Sequence, residues 1–229
     1  PVCVLHGGEY LSREPALGQA YGDRLVPMDA FTAFEPAMEI TEVPDLSALA
    51  FIMFTSGTTG RSKAVMLAER NFFTVMQMHV AMGDHMLDFK HRQLPEDKND
   101  VLSNFAILPL FHLGTFICLF VWACKGWALN LSADIRDFYR DLGLMHSDVM
   151  ASAPMLVETI YNDMKRGRVS RLNGLWDLCC SSAALDPRML LELAQNGFVV
   201  NQCYGMTETF GDGILNFTQV EKQMSAVGK

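Results

Sequence analysis

The stretch that decides the fold runs from Leu49 to Lys63 and reads Leu-Ala-Phe-Ile-Met-Phe-Thr-Ser-Gly-Thr-Thr-Gly-Arg-Ser-Lys. Its first six residues form an apolar run that predicts a strand, and the rest is a loop of glycine, serine and threonine. Gly57 and Gly60 let the backbone turn and point N–H groups inward, and Lys63 adds a positive charge. This combination is suited to holding a polyphosphate.

The loop is not a P-loop of the Walker A type. That pattern has four residues between its glycines, whereas two residues separate Gly57 from Gly60. The loop composition also fits an ordinary turn between a strand and the next element. The residues of the loop alone leave both interpretations open.

Outside this loop, apolar runs alternate with amphipathic segments. We expect strands at 2–5, 49–54, 101–108, 127–131, 175–180 and 198–203. We expect helices at 68–82, 113–124, 134–142 and 154–165, a helix capped by Asp186-Pro187 and ended by Gly197, and an exposed loop at 83–100. The alternation predicts an α/β fold with a mostly parallel β-sheet and helices on both faces. Residues 1–47 are interpreted as a connector with short strands, and 48–229 as the main body.

Composition narrows the class of protein. The 229 residues carry 18 basic and 26 acidic side chains, a net charge of −8, which argues against nucleic-acid binding. Only 19% of residues are charged, so self-association as a homo-oligomer is conceivable. The six cysteines include no C-x-x-C pair, as expected for reduced thiols in a cytoplasmic protein.

An uncharged run from Val101 to Cys124 is long enough to cross a bilayer. Pro109 and Gly114 interrupt it, so we expect a buried strand followed by a buried helix rather than a transmembrane span.

Two further motifs carry chemistry. Tyr204-Gly205-Met206-Thr207-Glu208 offers a ring that can stack on a base, a hydroxyl for a phosphate and a carboxylate for Mg²⁺. Leu108-Pro109-Leu110-Phe111-His112 places a histidine in an apolar run. The alternative interpretations are that Tyr204 and His112 belong to the core and that Glu208 is a solvated loop residue.

Taken in order, the three motifs resemble those of the adenylate-forming superfamily, which includes acyl-CoA synthetases, luciferases and adenylation domains of peptide synthetases. The resemblance is closest to long-chain fatty-acyl-CoA ligases, through Tyr-Gly-Met-Thr-Glu-Thr and Ser-Ala-Ala-Leu-Asp-Pro as well as the histidine motif. It implies the layered N-terminal domain of those enzymes. Ser62 and Ala64 depart from the usual proline and glycine, and serines at 181 and 182 stand in a segment that is usually rich in glycine.

The resemblance implies a role for each matching residue. The polyphosphate would be held by Thr55, Ser56, Gly57, Thr58, Thr59, Gly60 and Lys63. The adenine and its surroundings would involve Ser182, Ala183, Gln202, Tyr204 and Gly205. Thr207 would meet the α-phosphate, Glu208 with Thr55 the metal, and His112 the acid. The catalytic set implied is Lys63, His112, Thr207 and Glu208.

The implied reaction has two halves. A carboxylate attacks the α-phosphorus of ATP to give acyl-AMP and pyrophosphate, and the thiol of coenzyme A then displaces AMP. The implied ligands are ATP, Mg²⁺, coenzyme A and a carboxylic acid, most closely a fatty acid.

Two alternatives stay open: an enzyme that adenylates an aryl or other acid, and a degenerate nucleotide-binding module that serves as an interaction surface. Ser225–Lys229 resembles the start of a later motif, so we expect 48–229 to be an incomplete AMP-binding subdomain that lacks C-terminal parts and has little turnover alone.

Overall fold

The structure is a computed structural model that describes residues 4–6, 15–27, 43, 45–55, 62–97, 99–132, 134–169 and 172–216. The chain divides into two compact units, Pro1–Val43 and Pro44–Lys229. In the first unit the elements are β1 (Val4–His6), α1 (Pro15–Tyr21), a 3-10 turn (Gly22–Arg24) and β2 (Leu25–Pro27). Strands β1 and β2 pair in parallel.

The second unit begins with a β-hairpin. Strand β3 (Leu49–Thr55) pairs antiparallel with β4 (Lys63–Ala68), and the last pair in register is Thr55 with Lys63. Strand β4 was not predicted, because the helix was expected to follow the loop directly. The hairpin therefore brings the two ends of the Gly/Ser/Thr loop side by side.

Helix α2 (Glu69–Gln93) follows β4 without a break, and the Asn71 side chain accepts a hydrogen bond from the Ala68 backbone N–H at 2.9 Å. The prediction of an exposed loop at 83–100 is wrong in its first half, because the helix continues to Gln93. Gly83, Met86 and Lys90 continue the buried face at helical spacing. A Cβ at Gly83 would lie 2.9 Å from the Trp127 ring, so the helix and this ring approach closely there.

The remaining elements build the central sheet. In chain order they are β5 (Ser103–Ala106), α3 (Leu113–Lys125), β6 (Ala128–Leu131), a 3-10 turn (Ile135–Asp137), α4 (Phe138–Leu144), β7 (Val149–Ser152), α5 (Pro154–Lys165), β8 (Asp177–Cys180), α6 (Pro187–Gln195), β9 (Val199–Met206), a 3-10 turn (Thr207–Thr209) and β10 (Gly211–Asn216). The strand order is β10-β9-β8-β7-β5-β6. All neighbours are parallel except β10, which runs antiparallel to β9.

The expected α/β fold with helices on both faces is confirmed. One core contains Val75, Ile117, Val121 and Phe210 and lies under α2 and α3. The other contains Phe138, Ile160, Leu178 and Leu193 and lies under α4, α5 and α6. Strand β7 shows the alternation directly, because Val149 belongs to the first core and Met150 to the second.

Helix α6 begins and ends as predicted. The Asp186 carboxylate accepts a hydrogen bond from the Arg188 backbone N–H at 2.7 Å, and Pro187 occupies the first turn. Gly197 follows the helix with φ +87°, a left-handed conformation that glycine adopts readily. The cap at Asp186 sets the start of the helix that follows β8.

A buried ion pair fastens α2 to the sheet. The Lys90 ammonium lies 3.1 Å from Asp148 and 3.0 Å from Asp97. Asp148 also accepts hydrogen bonds from the backbone N–H and hydroxyl of Ser103, each at 2.8 Å. These contacts lie at the amino ends of β5 and β7. The carboxyl ends of these strands are not occupied by this ion pair.

Across the part of the chain that the structure describes, no helix has both the length and the apolar character needed to cross a membrane. The uncharged run from Val101 to Cys124 is divided between β5 and α3.

The buried carboxyl of Asp177 generates a prediction about pH. Burial raises its pKa from 3.8 to about 8, while the hydrogen bond from Asn201 at 2.7 Å acts in the opposite direction. Between these two values the folded chain holds a proton that the unfolded chain has lost, so the free energy of unfolding falls as pH rises. Asp177→Asn, which removes this titration, is expected to be more stable than wild type by a margin that grows from about pH 5 to about pH 8.

Urea unfolding midpoints at several pH values measure the margin. Asp88→Asn provides the control, because it makes the same substitution at an exposed position on α2 rather than in the core. A margin for Asp177→Asn that stays constant over this range would contradict the prediction.

Candidate functional site

A cleft of ≈ 280 Å³ lies where several strands end. Its lining residues are Met53, Phe54, Phe111, His112, Leu113, Gly114, Ser181, Ser182, Gly205, Met206, Thr207 and Gly211. Phe111 and His112 follow β5, Ser181 follows β8, and Thr207 follows β9. The carboxyl ends of parallel strands are where open α/β sheets bind ligands.

The β3–β4 hairpin forms another wall of this cleft through Met53 and Phe54. The 3-10 turn Thr207–Thr209 contacts both hairpin strands. The strands on either side of the Gly/Ser/Thr loop therefore lie against the turn that carries Thr207 and Glu208. Thr55 is the last residue of β3, and Lys63 is the first residue of β4. The loop residues outside the described part of the chain are Ser56, Gly57, Thr58, Thr59 and Gly60.

An aromatic cluster holds the hairpin against the turn. The ring centroids of Phe51 and Phe210 are 5.7 Å apart, and those of Phe72 and Phe210 are 6.0 Å apart. Phe116 on α3 meets Phe51 edge-on at 5.2 Å. These separations are those of favourable aromatic pairs. The cluster joins β3, α2, α3 and the residue that follows the turn.

The backbone after the turn is fixed by close packing. Phe210 is fully buried and adopts φ +58°, and Gly211 follows with φ +104°. A Cβ at Gly211 would lie 2.5 Å from Ile117 Cδ1 on α3, so a larger residue would have to displace the end of that side chain and also adopt a strained backbone conformation. This geometry sets the direction in which Thr207 and Glu208 are presented.

Four of the predicted site residues line the cleft: His112, Ser182, Gly205 and Thr207. Ala183, Tyr204 and Glu208 are each next in sequence to a lining residue, and Lys63 pairs with Thr55, which follows the lining residue Phe54. Tyr204 is 51% exposed at the end of β9, and Glu208, Lys63 and Ala183 are exposed. The core interpretation of Tyr204 is therefore wrong.

Gln202 differs from this group because it is buried. Its side-chain oxygen accepts a hydrogen bond from the Leu185 backbone N–H at 3.1 Å. The amide therefore supports the segment that carries Ser182 and Ala183, and its predicted contact with adenine stays a prediction.

His112 is exposed at the start of α3, so the interpretation as a satisfied core histidine is wrong. Its backbone carbonyl accepts from the Phe116 N–H at 3.0 Å. A Cβ at Gly114 would lie 3.5 Å from His112 Nδ1, which places the imidazole over the first turn of the helix. His112 is one of the residues that border the cleft.

Several lining residues were not predicted from the sequence, chiefly Met53, Phe54, Phe111 and Met206. Phe54 is 71% exposed and Phe111 is 83% exposed, which is unusual for aromatic side chains. Phe54 immediately precedes Thr55 and Phe111 immediately precedes His112, and both of these were predicted site residues. This adjacency in the sequence was the signal that could have identified the two aromatic side chains as cleft residues. They add apolar surface to the cleft.

Ser182 adopts φ +80°, a left-handed conformation that favours glycine. For a residue with a Cβ this conformation costs about 1–2 kcal/mol. Residue 182 therefore has a backbone conformation typical of glycine, as expected from its place in a segment that is usually rich in glycine. Its side chain adds a hydroxyl to the cleft.

The donor set suits magnesium better than a transition metal. Among the described residues no group of three His, Cys, Asp or Glu side chains is placed to hold a metal ion. Glu208 offers one exposed carboxylate, and Mg²⁺ is commonly held by one or two carboxylates together with phosphate oxygens. The residues therefore fit a magnesium ion that arrives with a nucleotide.

A cysteine nucleophile is not supported at the end of β8. Burial, with a smaller contribution from the neighbouring Cys179, raises the pKa of the Cys180 thiol to about 12. Cys180 is therefore a neutral thiol at physiological pH and a poor nucleophile.

Fold and cleft together define an α/β nucleotide-binding domain of the adenylate-forming type. The sequence pattern of the family "AMP-binding enzyme" matches residues 10–229. The chain belongs to the AMP-binding enzyme family.

Known proteins of this family resemble the chain in sequence and in fold. A 2-succinylbenzoate–CoA ligase of Bacillus pumilus is 30% identical over 167 residues, which cover 72% of this chain and 31% of the ligase. The O-succinylbenzoate coenzyme A synthetase of Bacillus subtilis, solved in complex with ATP and magnesium ion, superposes with a TM-score of 0.69 at 19% identity. That superposition covers 98% of this chain and 44% of the synthetase.

A fatty acyl CoA synthetase of Mycobacterium tuberculosis superposes with a TM-score of 0.66 at 17% identity, covering 97% of this chain and 42% of that one. At these identities the two superpositions establish the fold alone. The chain spans less than half the length of each of these three proteins.

The aromatic cluster generates a prediction about binding. Phe210→Leu should lower the free energy of unfolding by about 1–2 kcal/mol, the ordinary range for a core substitution. It should also weaken ATP–Mg²⁺ binding, because the turn that carries Thr207 and Glu208 loses its contact with Phe51. Titration calorimetry well below the unfolding temperature measures the affinity.

Phe138→Leu is the matched control, since Phe138 is buried in the opposite core and pairs edge-on with Phe105 at 5.8 Å. It should reduce stability to a similar degree and leave ATP affinity unchanged. Equal losses of affinity in both variants would mean that the cluster has no particular role in the site.

Proposed function

We propose that the protein activates a carboxylic acid with ATP, forming an acyl-adenylate, and passes the acyl group to coenzyme A. The observation that carries the proposal is the shared cleft. The hairpin that bears the Gly/Ser/Thr loop contacts the Thr207–Thr209 turn, and both border the space beside His112. Membership of the AMP-binding family supports the same chemistry.

In this proposal, most of the catalytic effect comes from positioning and charge neutralisation. Thr55, Lys63 and the loop between them hold the β- and γ-phosphates, which become the leaving pyrophosphate. Thr207 donates a hydrogen bond to the α-phosphate, where negative charge builds up during attack. Glu208 and Thr55 hold the magnesium ion, which when bound neutralises phosphate charge.

The acid is placed in the part of the cleft bordered by Phe111 and His112. His112 borders the cleft at the start of α3 and can orient the attacking carboxylate by a hydrogen bond. Phe54, Phe111 and Met206 supply an apolar surface for the body of the acid. Exclusion of water by these side chains would protect the acyl-adenylate from hydrolysis.

For the class of acid we favour an aromatic carboxylic acid over a long-chain fatty acid. The 30% identical relative is named for an aryl acid, and the exposed aromatic rings of Phe54 and Phe111 offer faces on which an aryl ring can stack. A fatty acid, the class expected from the motifs, is the second candidate, supported by the fold shared with a fatty acyl CoA synthetase.

The nucleotide contacts predict the outcome of a binding experiment. Lys63→Ala and Glu208→Ala should each weaken ATP–Mg²⁺ binding by about 10- to 100-fold, because each removes a charge-assisted contact. Titration calorimetry of wild type and both variants measures the affinities.

Arg188→Ala on α6 and Glu158→Ala on α5 change the same charges on exposed helix positions that do not border the cleft, and should bind like wild type. Absence of binding in wild type and all variants would instead support a non-nucleotide role, such as the interaction module considered above.

Acid class is tested separately by titrating benzoate and palmitate in the presence of α,β-methylene-ATP and Mg²⁺, which prevents turnover. We expect saturable binding of benzoate and weaker binding of palmitate. Tight binding of palmitate with no binding of benzoate would show that the acid is a fatty acid. The proposed ATP site would stand unchanged.

A further inference from the structure

Two thiols lie close together on neighbouring strands beside the cleft. Cys179 Sγ on β8 and Cys203 Sγ on β9 are 3.1 Å apart, so one thiol donates a weak hydrogen bond to the other. Strand β8 leads into Ser181, which lines the cleft, and Cys203 directly precedes Tyr204. The two thiols therefore connect the strands whose carboxyl ends carry predicted site residues.

Strand geometry places both thiols on one face of the sheet. Leu178 and Cys180 of β8 belong to the core under α4, α5 and α6, so Cys179 between them faces the other side. Val200 of β9 belongs to the same core, so Cys203, three residues further along, also faces the other side. The short distance between the two sulfurs thus follows from the pairing of β8 with β9.

The two thiols are placed to form a disulfide with little movement. A disulfide bond is about 2.05 Å long, so each sulfur has to move by roughly half an ångström. Cys179 is partly exposed, whereas Cys203 is buried. A small oxidant therefore reaches Cys179 first, and Cys203 is the neighbouring thiol that completes the bond.

Cys180, the next residue along β8, does not compete for this reaction. It packs into the opposite core, and burial raises the pKa of its thiol to about 12. Because the thiolate is the reactive form of cysteine, Cys180 stays inert while Cys179 and Cys203 react.

We infer that Cys179 and Cys203 are a reversible oxidation site, and that the disulfide formed between them weakens ATP binding in the neighbouring cleft. The oxidant is a peroxide. The regulatory half of this inference rests on the proposed function, whereas formation of the disulfide does not.

The reaction has two steps. The Cys179 thiolate attacks one oxygen of hydrogen peroxide, the O–O bond breaks, and Cys179 becomes a sulfenic acid while the departing hydroxide takes up a proton as water. The Cys203 thiolate then attacks the Cys179 sulfur, the S–O bond breaks, and a second water leaves. Two electrons pass from the two sulfurs to the peroxide, and a thiol reductant reverses the change by exchange.

The new bond would draw β8 and β9 together at the edge of the cleft. Ser181 lies two residues after Cys179, and Gly205 lies two residues after Cys203, and both line the cleft. A change of about 1 Å in the relative position of binding groups is enough to impair a site. We expect oxidation to weaken nucleotide binding at least about fivefold, the lower end of usual coupling between two sites.

The test begins with reduced wild type treated with hydrogen peroxide. Mass spectrometry of an unreduced tryptic digest should find peptide 172–188 linked to peptide 189–222, with fragment ions that assign the bond to Cys179 rather than Cys180. Titration calorimetry should show α,β-methylene-ATP with Mg²⁺ binding at least about fivefold more weakly after oxidation. Dithiothreitol should restore the affinity, which separates the disulfide from methionine oxidation.

Variants assign the effect to this pair of thiols. Cys203→Ser and Cys179→Ser remove the disulfide from opposite strands, so a folding defect in one of them leaves the other to decide. Each should bind the analogue like reduced wild type and keep that affinity after peroxide and dithiothreitol. Cys124→Ser, which removes an exposed thiol on α3, is the matched control and should respond to peroxide like wild type.

Linkage gives a second measurement. If the disulfide weakens nucleotide binding, the bound nucleotide must favour the dithiol by the same factor. In a glutathione redox buffer, saturating α,β-methylene-ATP and Mg²⁺ should therefore raise the ratio of dithiol to disulfide at least about fivefold.

The other outcomes are distinguishable. Absence of the linked peptides, or a bond through Cys180, would overturn the inference. A disulfide that leaves the affinity unchanged would remove the regulatory half, and the proposed function would stand. Failure of reduced wild type to bind the analogue would remove both the proposed function and the regulatory half.

Discussion

The contact between Phe51 and Phe210 is the constraint on which the candidate site depends. Phe51 lies in β3, just before the Gly/Ser/Thr loop, and Phe210 directly follows the turn that carries Thr207 and Glu208. Aromatic pairing brings together two segments that are distant in the sequence. Because Phe210 is fully buried in a left-handed conformation, any shift of the turn would open the core under α2 and α3.

The amino ends and the carboxyl ends of the parallel strands in the central sheet have different roles. At the amino ends of β5 and β7, the buried Lys90–Asp148 pair and its hydrogen bonds to Ser103 fill the space with satisfied polar contacts. At the carboxyl ends, exposed side chains such as Phe111 and His112 surround a cleft. The amino ends of the strands are therefore filled by packed polar contacts, and the carboxyl ends are open to a ligand.

The sequence allowed the fold class and much of the site to be predicted, because both depend on local signals. Strand–helix alternation indicated the parallel sheet, and Asp186, Pro187 and Gly197 marked the ends of α6. Strands β4, β7 and β10 were not predicted. Strand β7 has four residues between two helices, and its pairing with β5 and β8 is a long-range interaction that periodicity does not reveal.

The error at 83–100 and the rejected core alternative for His112 have a common cause. Charged residues around Lys90 looked like a solvated loop, but a buried partner, Asp148, is supplied by a distant part of the chain. His112 was weighed as a core residue because its neighbours in sequence are apolar, yet Phe111 itself is exposed. Residue type alone does not tell whether an apolar run packs into the core or lines a binding site.

We propose that the β3–β4 hairpin and the Thr207–Thr209 turn bind one metal–nucleotide complex. The most direct test is a crystal structure of the chain with ATP and Mn²⁺, whose anomalous signal locates the ion. We expect a manganese ion coordinated by Glu208 and by phosphate oxygens, with the same triphosphate in contact with Lys63. An ion and nucleotide bound away from both segments, or a triphosphate held by only one of them, would contradict it.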